Sequence, residues 1–287
     1  MQLQVLDHLS DPGTPGKRNE DSLCLAEGLI AVFDGATGIG DWPVFPEHES
    51  DAAWLSQFAA QRLALLDPGL SPGEMVREIA DAARQAAVGR TDLDALPRYA
   101  WPTCGFEMAR LKGDRLELSG LGDCCAYLLA PSGELTIHCP IPSAREVEMA
   151  AARRLLDRTG GFGPQGGIVR KGEALEVLRR GRSKHNTPGG QVWTLGLAPQ
   201  AGDHVSSLSL EAPEGSLLML MSDGFAALAE MYLHHSPGEL VAAAAETGLA
   251  PLLGQLRRIE CEEDPFAERF ARFKRSDDAT AILAVIG

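Results

Sequence analysis

Four aspartates mark places where an apolar run ends or begins: Asp34 after LIAVF, Asp123 after LELSGLG, Asp223 after LLMLMS and Asp277 before ATAILAVIG. Asn19-Glu20-Asp21 adds two carboxylates near the start of the chain. Strand ends on one side of a sheet can gather such residues, and clustered carboxylates repel unless cations neutralise them. The chemistry this points to is hydrolysis at a hard-metal site. Each aspartate alone also fits a turn or a cap, because Asp-Gly after an apolar run is a hairpin signal. For Asp34 and Asp223 the following residues remove the hairpin. ATGIGDWP after Asp34-Gly35 cannot be a return strand, and FAALAEM after Asp223-Gly224 is helical.

The elements that must position these residues alternate along the chain. QLQVLDHL, LCLA and LIAVF read as strands, and a helix is expected over about 51–66 after the turn-rich DGATGIGDWPVFPEHES. Ser71-Pro72-Gly73-Glu74 predicts a helix start, with Met75, Ile79, Ala82 and Ala86 as its apolar face, and the same tetrapeptide at 236–239 predicts another. TCGFEMARL, DRLELSGLG, CAYLLA and ELTIHC, separated by short turns, predict an antiparallel meander. A helical pair is expected over about 142–157 and 169–182, with Ser143-Ala144-Arg145-Glu146 as a capping box and a Gly-rich loop at 160–167 between them. VWTLGLA, HVSSLSL and SLLMLMS predict strands, two helices fill about 224–262, and ATAILAVI closes the chain. Strands at both ends and in the middle favour one α+β domain over 1–287 rather than two in tandem.

Composition excludes several classes. A hydrophobic fraction of 45% is normal for a chain that buries a full core. The net charge of −14 argues against duplex nucleic acid as a partner, since phosphate contacts need a basic face. No apolar run reaches the ~18 residues of a membrane span, and MQLQVLDHLS lacks a basic leader region, so a soluble, cytoplasmic protein is expected. The six cysteines (Cys24, Cys104, Cys124, Cys125, Cys139, Cys261) show no C-x-x-C spacing, which suits a reducing compartment. Residues 144–184 hold ten Lys/Arg against five Asp/Glu; a solvated helix face and a ligand-binding patch both remain open. The formal G-x-G-x-x-G at 161–166 follows a helix and contains Pro164, so it reads as a loop rather than a nucleotide site. Ser222 lacks the first glycine of a nucleophile elbow, and the adjacent His234 and His235 would point apart, so neither a serine hydrolase nor shared metal ligation is expected.

Arg18-Asn19-Glu20-Asp21, Val32-Phe33-Asp34-Gly35, Leu121-Gly122-Asp123 with Tyr127, Met221-Ser222-Asp223-Gly224 and Asp277-Asp278-Ala279-Thr280 resemble, in order, the motifs of the metal-dependent protein phosphatase 2C family. The resemblance spans about 16 to 285. It implies a four-layer α-β-β-α sandwich, two antiparallel sheets flanked by helices, with a variable flap that falls on the basic stretch at about 140–190. It also implies two or three Mn or Mg ions. Asp34 would bridge two of them, Asp223 and Asp277 would complete the first shell, Glu20 and the Gly35 carbonyl would serve the second, Asp21 would act through water, and Asp123 would hold a third. Asp34 and Asp223 would thereby act catalytically through metal-bound water, with no covalent nucleophile. Oxygen-only ligands suit Mg or Mn.

Three departures accompany the resemblance. The basic residue that often stands four positions before the Glu is Gly16 here, which leaves Lys17 or Arg18 to bind phosphate. The usual D-G-x-G-G reads Asp34-Gly35-Ala36-Thr37-Gly38, and Asp278 replaces a common Asn. The function implied is a Mg/Mn-dependent phosphoserine/phosphothreonine phosphatase acting on a phosphorylated protein opposite a serine/threonine kinase, with no nucleic-acid or membrane partner. A phosphatase-fold binding module and a hydrolase of small phosphomonoesters are the alternatives. On the flap, two readings stand side by side: Arg179, Arg180 and Arg182 recruit acidic, phosphorylated segments, or the flap is purely structural.

Overall fold

Several apolar runs are continuous rather than alternating because both faces of their strands are covered. The computed structural model describes residues 2–163, 166–168 and 172–287. In chain order the elements are β1 (Leu3–Asp11), β2 (Ser22–Ala26), β3 (Leu29–Gly35), α1 (Asp51–Leu63), α2 (Pro72–Ala87), β4 (Thr103–Lys112), β5 (Arg115–Leu121), β6 (Cys125–Leu129), β7 (Leu135–His138), α3 (Ala144–Thr159), α4 (Gly172–Arg182), β8 (Leu195–Gly196), β9 (Ser206–Leu210), β10 (Leu217–Met221), α5 (Asp223–Glu230), α6 (Pro237–Thr247), α7 (Leu249–Arg258) and β11 (Ala279–Ile286). One antiparallel sheet runs β1-β11-β10-β6-β7, and the other runs β2-β3-β4-β5-β9 with β8 on β4.

Three apolar layers separate the four structural ones. Ile30, Val32, Leu118, Ala126, Leu218, Leu220 and Ile282 fill the gap between the sheets. Ala31, Phe33, Phe106 and Met108, on the opposite faces of their strands, meet Leu55, Met75 and Ile79 of α1 and α2. Tyr127, Met219, Met221 and Leu283 likewise meet Phe225, Leu240 and Leu256 of α5 to α7. The architecture is therefore the expected α+β sandwich, α-β-β-α in section. A smaller cluster, with Ala152, Leu155, Leu156 and Ala174 against Ala267 and Ala271, seats α3 and α4.

Local signals and tertiary packing disagree at identifiable places. Ser71 and Ser236 both form complete capping boxes with Glu74 and Glu239. Ser143 forms none; its side chain makes no cap hydrogen bond, and the capping-box expectation there is corrected. The α2 face is turned by one residue, with Ala83 and Ala87 buried while Ala82 and Ala86 are half-buried. The expected meander is split, because β4 and β5 lie in one sheet while β6 and β7 lie in the other. Period-two alternation encodes a buried face but not which sheet supplies the neighbour. Of VWTLGLA only Leu195–Gly196 is strand, and three α-helices rather than two stand between 223 and 258. The expected starting point of α4 at 169 and the Pro164-Gln165 pair lie outside the described residues.

Candidate functional site

Strand parity carries the aspartates to one end of the sandwich. Ile30 and Val32 face the inter-sheet gap and Ala31 and Phe33 face the helices, so one further step turns Asp34 toward the gap. In the other sheet Leu218 and Leu220 face the gap, which places Ser222 there and lets Asp223 open α5 at the same edge. Met221 pairs with both Cys125 and Ala281, so the ends of β6, β10 and β11 are level. Ser222 and Thr280 lock two of them: the Thr280 N–H donates to Ser222 Oγ at 2.9 Å, and the Ser222 N–H to the Thr280 carbonyl at 2.9 Å. Asp123, on the turn that leaves β5, joins them, since a side chain at Gly105, the partner of Asp34 in β4, would first meet Asp123 Oδ1.

The resulting pocket is short of positive charge. Asp34 is held well above the ordinary carboxylate range by burial first, then by the charges of Asp21, Asp223 and Asp123. Asp21 is 4% exposed, its Oδ2 has no partner, and burial followed by Asp278 raises it as well, with the neighbouring Ser222 and Thr280 opposing the rise. Asp123 is pushed up to about 6 by burial and then Asp223, with Arg145 opposing. Ser222 is fully buried against this cluster, as befits a scaffold hydroxyl and not a nucleophile.

Around this centre the remaining carboxylates are already engaged. Glu20 Oε2 accepts from Thr37 Oγ1 at 2.5 Å and Oε1 from Ser50 Oγ at 2.6 Å. Asp278 accepts from the N–H groups of Gly13 (3.0 Å) and Glu20 (2.7 Å), so the residue at the common Asn position ties the Glu20 segment to β11. Gly35 has no room for a side chain, because a Cβ would collide with the carbonyl oxygens of Glu20 and Ala52. Gly224 is equally confined, by the Asp278 carbonyl. Burial works against ionisation of Asp277, but Lys274, with Nζ 2.5 Å from Oδ1, outweighs it and holds the carboxyl below its ordinary value.

Sequence reasoning missed two cations. Lys274 is one; its three-residue spacing to Asp277 was visible, but nothing in the sequence pairs them. Arg145 is the other: its guanidinium donates to the Asp223 carbonyl, lies 3.5 Å from Asp223 Oδ2, 3.0 Å from Glu148 Oε2 and 3.7 Å from Glu230 Oε2. Of the three flap arginines expected to recruit substrate, Arg179 bonds the Ile39 carbonyl (2.9 Å) and Asp41 (2.5 Å) and covers Tyr99.

Beside Glu20 and Asp278 opens a cleft of about 1170 Å³, with Lys17, Arg18, Lys274 and Arg275 on its walls. Both expected phosphate-binding residues therefore line the same cleft, although the Arg18 guanidinium also donates to Gln57 Oε1 at 3.0 Å. Gly166 and Gly167 of the flap hydrogen-bond or bridge to residues 273–275, forming the far wall.

Among the described residues, no three or more His, Cys, Asp or Glu side chains form a finished metal site. The donor chemistry at Asp21, Asp34 and Asp223 nonetheless suits a hard divalent cation: oxygen only, mutually repelling, and with a buried Asp21 oxygen unpartnered. Glu20 and Asp277 would have to exchange their present hydroxyl and ammonium partners to join. The Asp123 side already has a guanidinium beside it.

No family model and no curated protein matches the chain. Solved structures do. The Mycobacterium tuberculosis serine/threonine phosphatase PstP/Ppp superposes with a TM-score of 0.56 at 20% identity, covering 100% of this chain and 99% of that one. The PstP catalytic domain in complex with 2 manganese ions gives 0.55 at 21%, covering 99% and 98%. PppA of Pseudomonas aeruginosa, described as a key regulatory component of T6SS, gives 0.57 at 16%, covering 99% and 98%.

Proposed function

We propose that this chain, which has the fold of the bacterial serine/threonine phosphatases of the protein phosphatase 2C (PPM) type, is a Mn- or Mg-dependent phosphomonoester hydrolase acting on phosphoserine and phosphothreonine. The observation that carries the reading is the gathering of Asp21, Asp34, Asp123 and Asp223 from four separate segments at one end of the sandwich. Asp34 and Asp223, with Asp277, Glu20 and the Gly35 carbonyl, would hold the cations, and Asp21 would support them from beneath. Bound divalent ions would supply an activated water and Lewis acidity toward phosphoryl oxygens. The residues of the chain do the rest. Asp278 fixes Glu20 against β11, Ser222 and Thr280 lock β10 to β11 beside Asp21, and Lys17 and Arg18 offer the cleft a positive wall for the phosphate.

A second reading is a phosphatase-fold binding module with little turnover. The ion pairs Lys274–Asp277 and Arg145–Asp223 favour it, because they neutralise carboxylates that catalysis would need. Aryl-phosphate and phosphopeptide turnover with and without Mn, for wild type and Asp223→Asn, separates the two. The phosphatase reading expects Mn-dependent turnover that the substitution lowers by ~10²-fold or more. Absence of metal-dependent turnover in the wild type leaves the binding module.

A further inference from the structure

Arg145 stands in a position that helix formation does not explain. It is the second residue of α3, where the helix dipole disfavours a cation, and the preceding Ser143 offers no cap. Its side chain is nevertheless only 11% exposed; besides pairing with Glu148 one turn on in the same helix, it reaches beyond the helix to Asp223 and Glu230. Glu230 is fixed in turn by the Tyr127 hydroxyl, which donates to its Oε1 at 2.9 Å. Burial works against the charge of Arg145, but Asp223, Glu148, Glu230 and Asp123 together outweigh it.

We infer that the Arg145 guanidinium takes the place of a third metal ion on the Asp123–Asp223 side of the centre, so that the chain binds divalent ions around Asp34 but not at Asp123. The inference rests on the phosphatase reading for the ions around Asp34 and departs from it at Asp123. A guanidinium cannot be deprotonated in a protein, so its charge is permanent and a divalent ion beside it is repelled. The same group joins the flap helix to the first residue of α5, which makes Arg145 a positioning residue for Asp223. Its planar fork holds five donors in fixed directions, which suits this bridging.

Equilibrium dialysis of the full chain against Mn(II), with bound metal counted per chain by mass spectrometry, tests this. Wild type is expected to keep its stoichiometry in Asp123→Asn, whereas Arg145→Met gains about one Mn per chain and loses that gain in Arg145→Met/Asp123→Asn. A wild-type ion that disappears in Asp123→Asn overturns the inference, and that arm does not require an Arg145 variant to fold. Folded Arg145→Met with unchanged stoichiometry overturns it too. If wild type binds no Mn and Arg145→Met binds an ion dependent on Asp123, the replacement of an ion by Arg145 stands, while ion binding around Asp34 falls with the metal-dependent reading of the native chain. If neither binds Mn, both fall.

Discussion

Lys274 Nζ lies 2.5 Å from Asp277 Oδ1, and Lys274 stands on the wall of the cleft with Glu20 and Asp278. Both side chains keep about a third of their surface in solvent, so the pair is weak by the standards of buried ion pairs and can be displaced. A divalent ion at Asp277 must compete with this ammonium. Lys274→Gln is therefore expected to lower the Mn concentration for half-saturation by about fivefold, equivalent to ~1 kcal/mol, in a direct Mn titration. An unchanged midpoint would show that Asp277 is not a ligand or that Lys274 does not guard it.

The raised carboxylates predict how stability should depend on pH and metal. Asp123, ordinarily 3.8, is at about 6, and Glu148, ordinarily 4.5, is pushed by burial up to about 8. Groups raised on folding contribute stability that is complete below their unfolded values and is lost as pH climbs through the folded ones. Metal-free protein should thus melt lower at pH 8 than at pH 5, and added Mn should raise the melting temperature more at pH 8. Equal Mn-induced shifts at both pH values would contradict this account.

A second acidic group titrates away from the centre. Glu107, in β4, is fully buried, pairs with His138 Nδ1 at 2.7 Å across the two sheets, and keeps Oε2 unpartnered. Burial raises it from 4.5 to about 7, while the His138 hydrogen bond and charge oppose the rise. Its stabilising effect is present below pH ~4.5 and lost on rising through 7, worth at most about 3 kcal/mol. Urea denaturation of Glu107→Gln at pH 5 and pH 8 should show that share of the pH dependence removed.

Gly224 tests the closeness of α5 to β11. A methyl group there would collide with the Asp278 carbonyl, a backbone atom that cannot step aside cheaply. Gly224→Ala should cost about 3 kcal/mol of unfolding free energy, read by denaturant titration. A loss under 1 kcal/mol would mean that the two segments are not held this close.

Ser71 provides the contrasting case, a local device far from the acidic centre. Its hydroxyl accepts from the Glu74 N–H at 3.3 Å while Glu74 Oε2 accepts from the Ser71 N–H at 2.8 Å. Ser71→Ala should cost about 1 kcal/mol in denaturant titration and leave Mn binding unchanged.

The sequence by itself determined the two Ser-Pro-Gly-Glu caps and the apolar runs that end before Asp34 and Asp223. These are local properties, set by hydrophobic runs and by hydrogen bonds within four residues, so they can be read without a partner. The resemblance of the ordered motifs then indicated which edge mattered. Only the tertiary structure decided what surrounds the carboxylates: that the chain passes between sheets after β5, that Glu20 is held by Thr37 and Ser50, and that Arg145 reaches Asp223 from 78 residues away. Such pairings depend on the distance between groups after packing, and the Coulomb and hydrogen-bond terms that select them leave no period or motif in the chain.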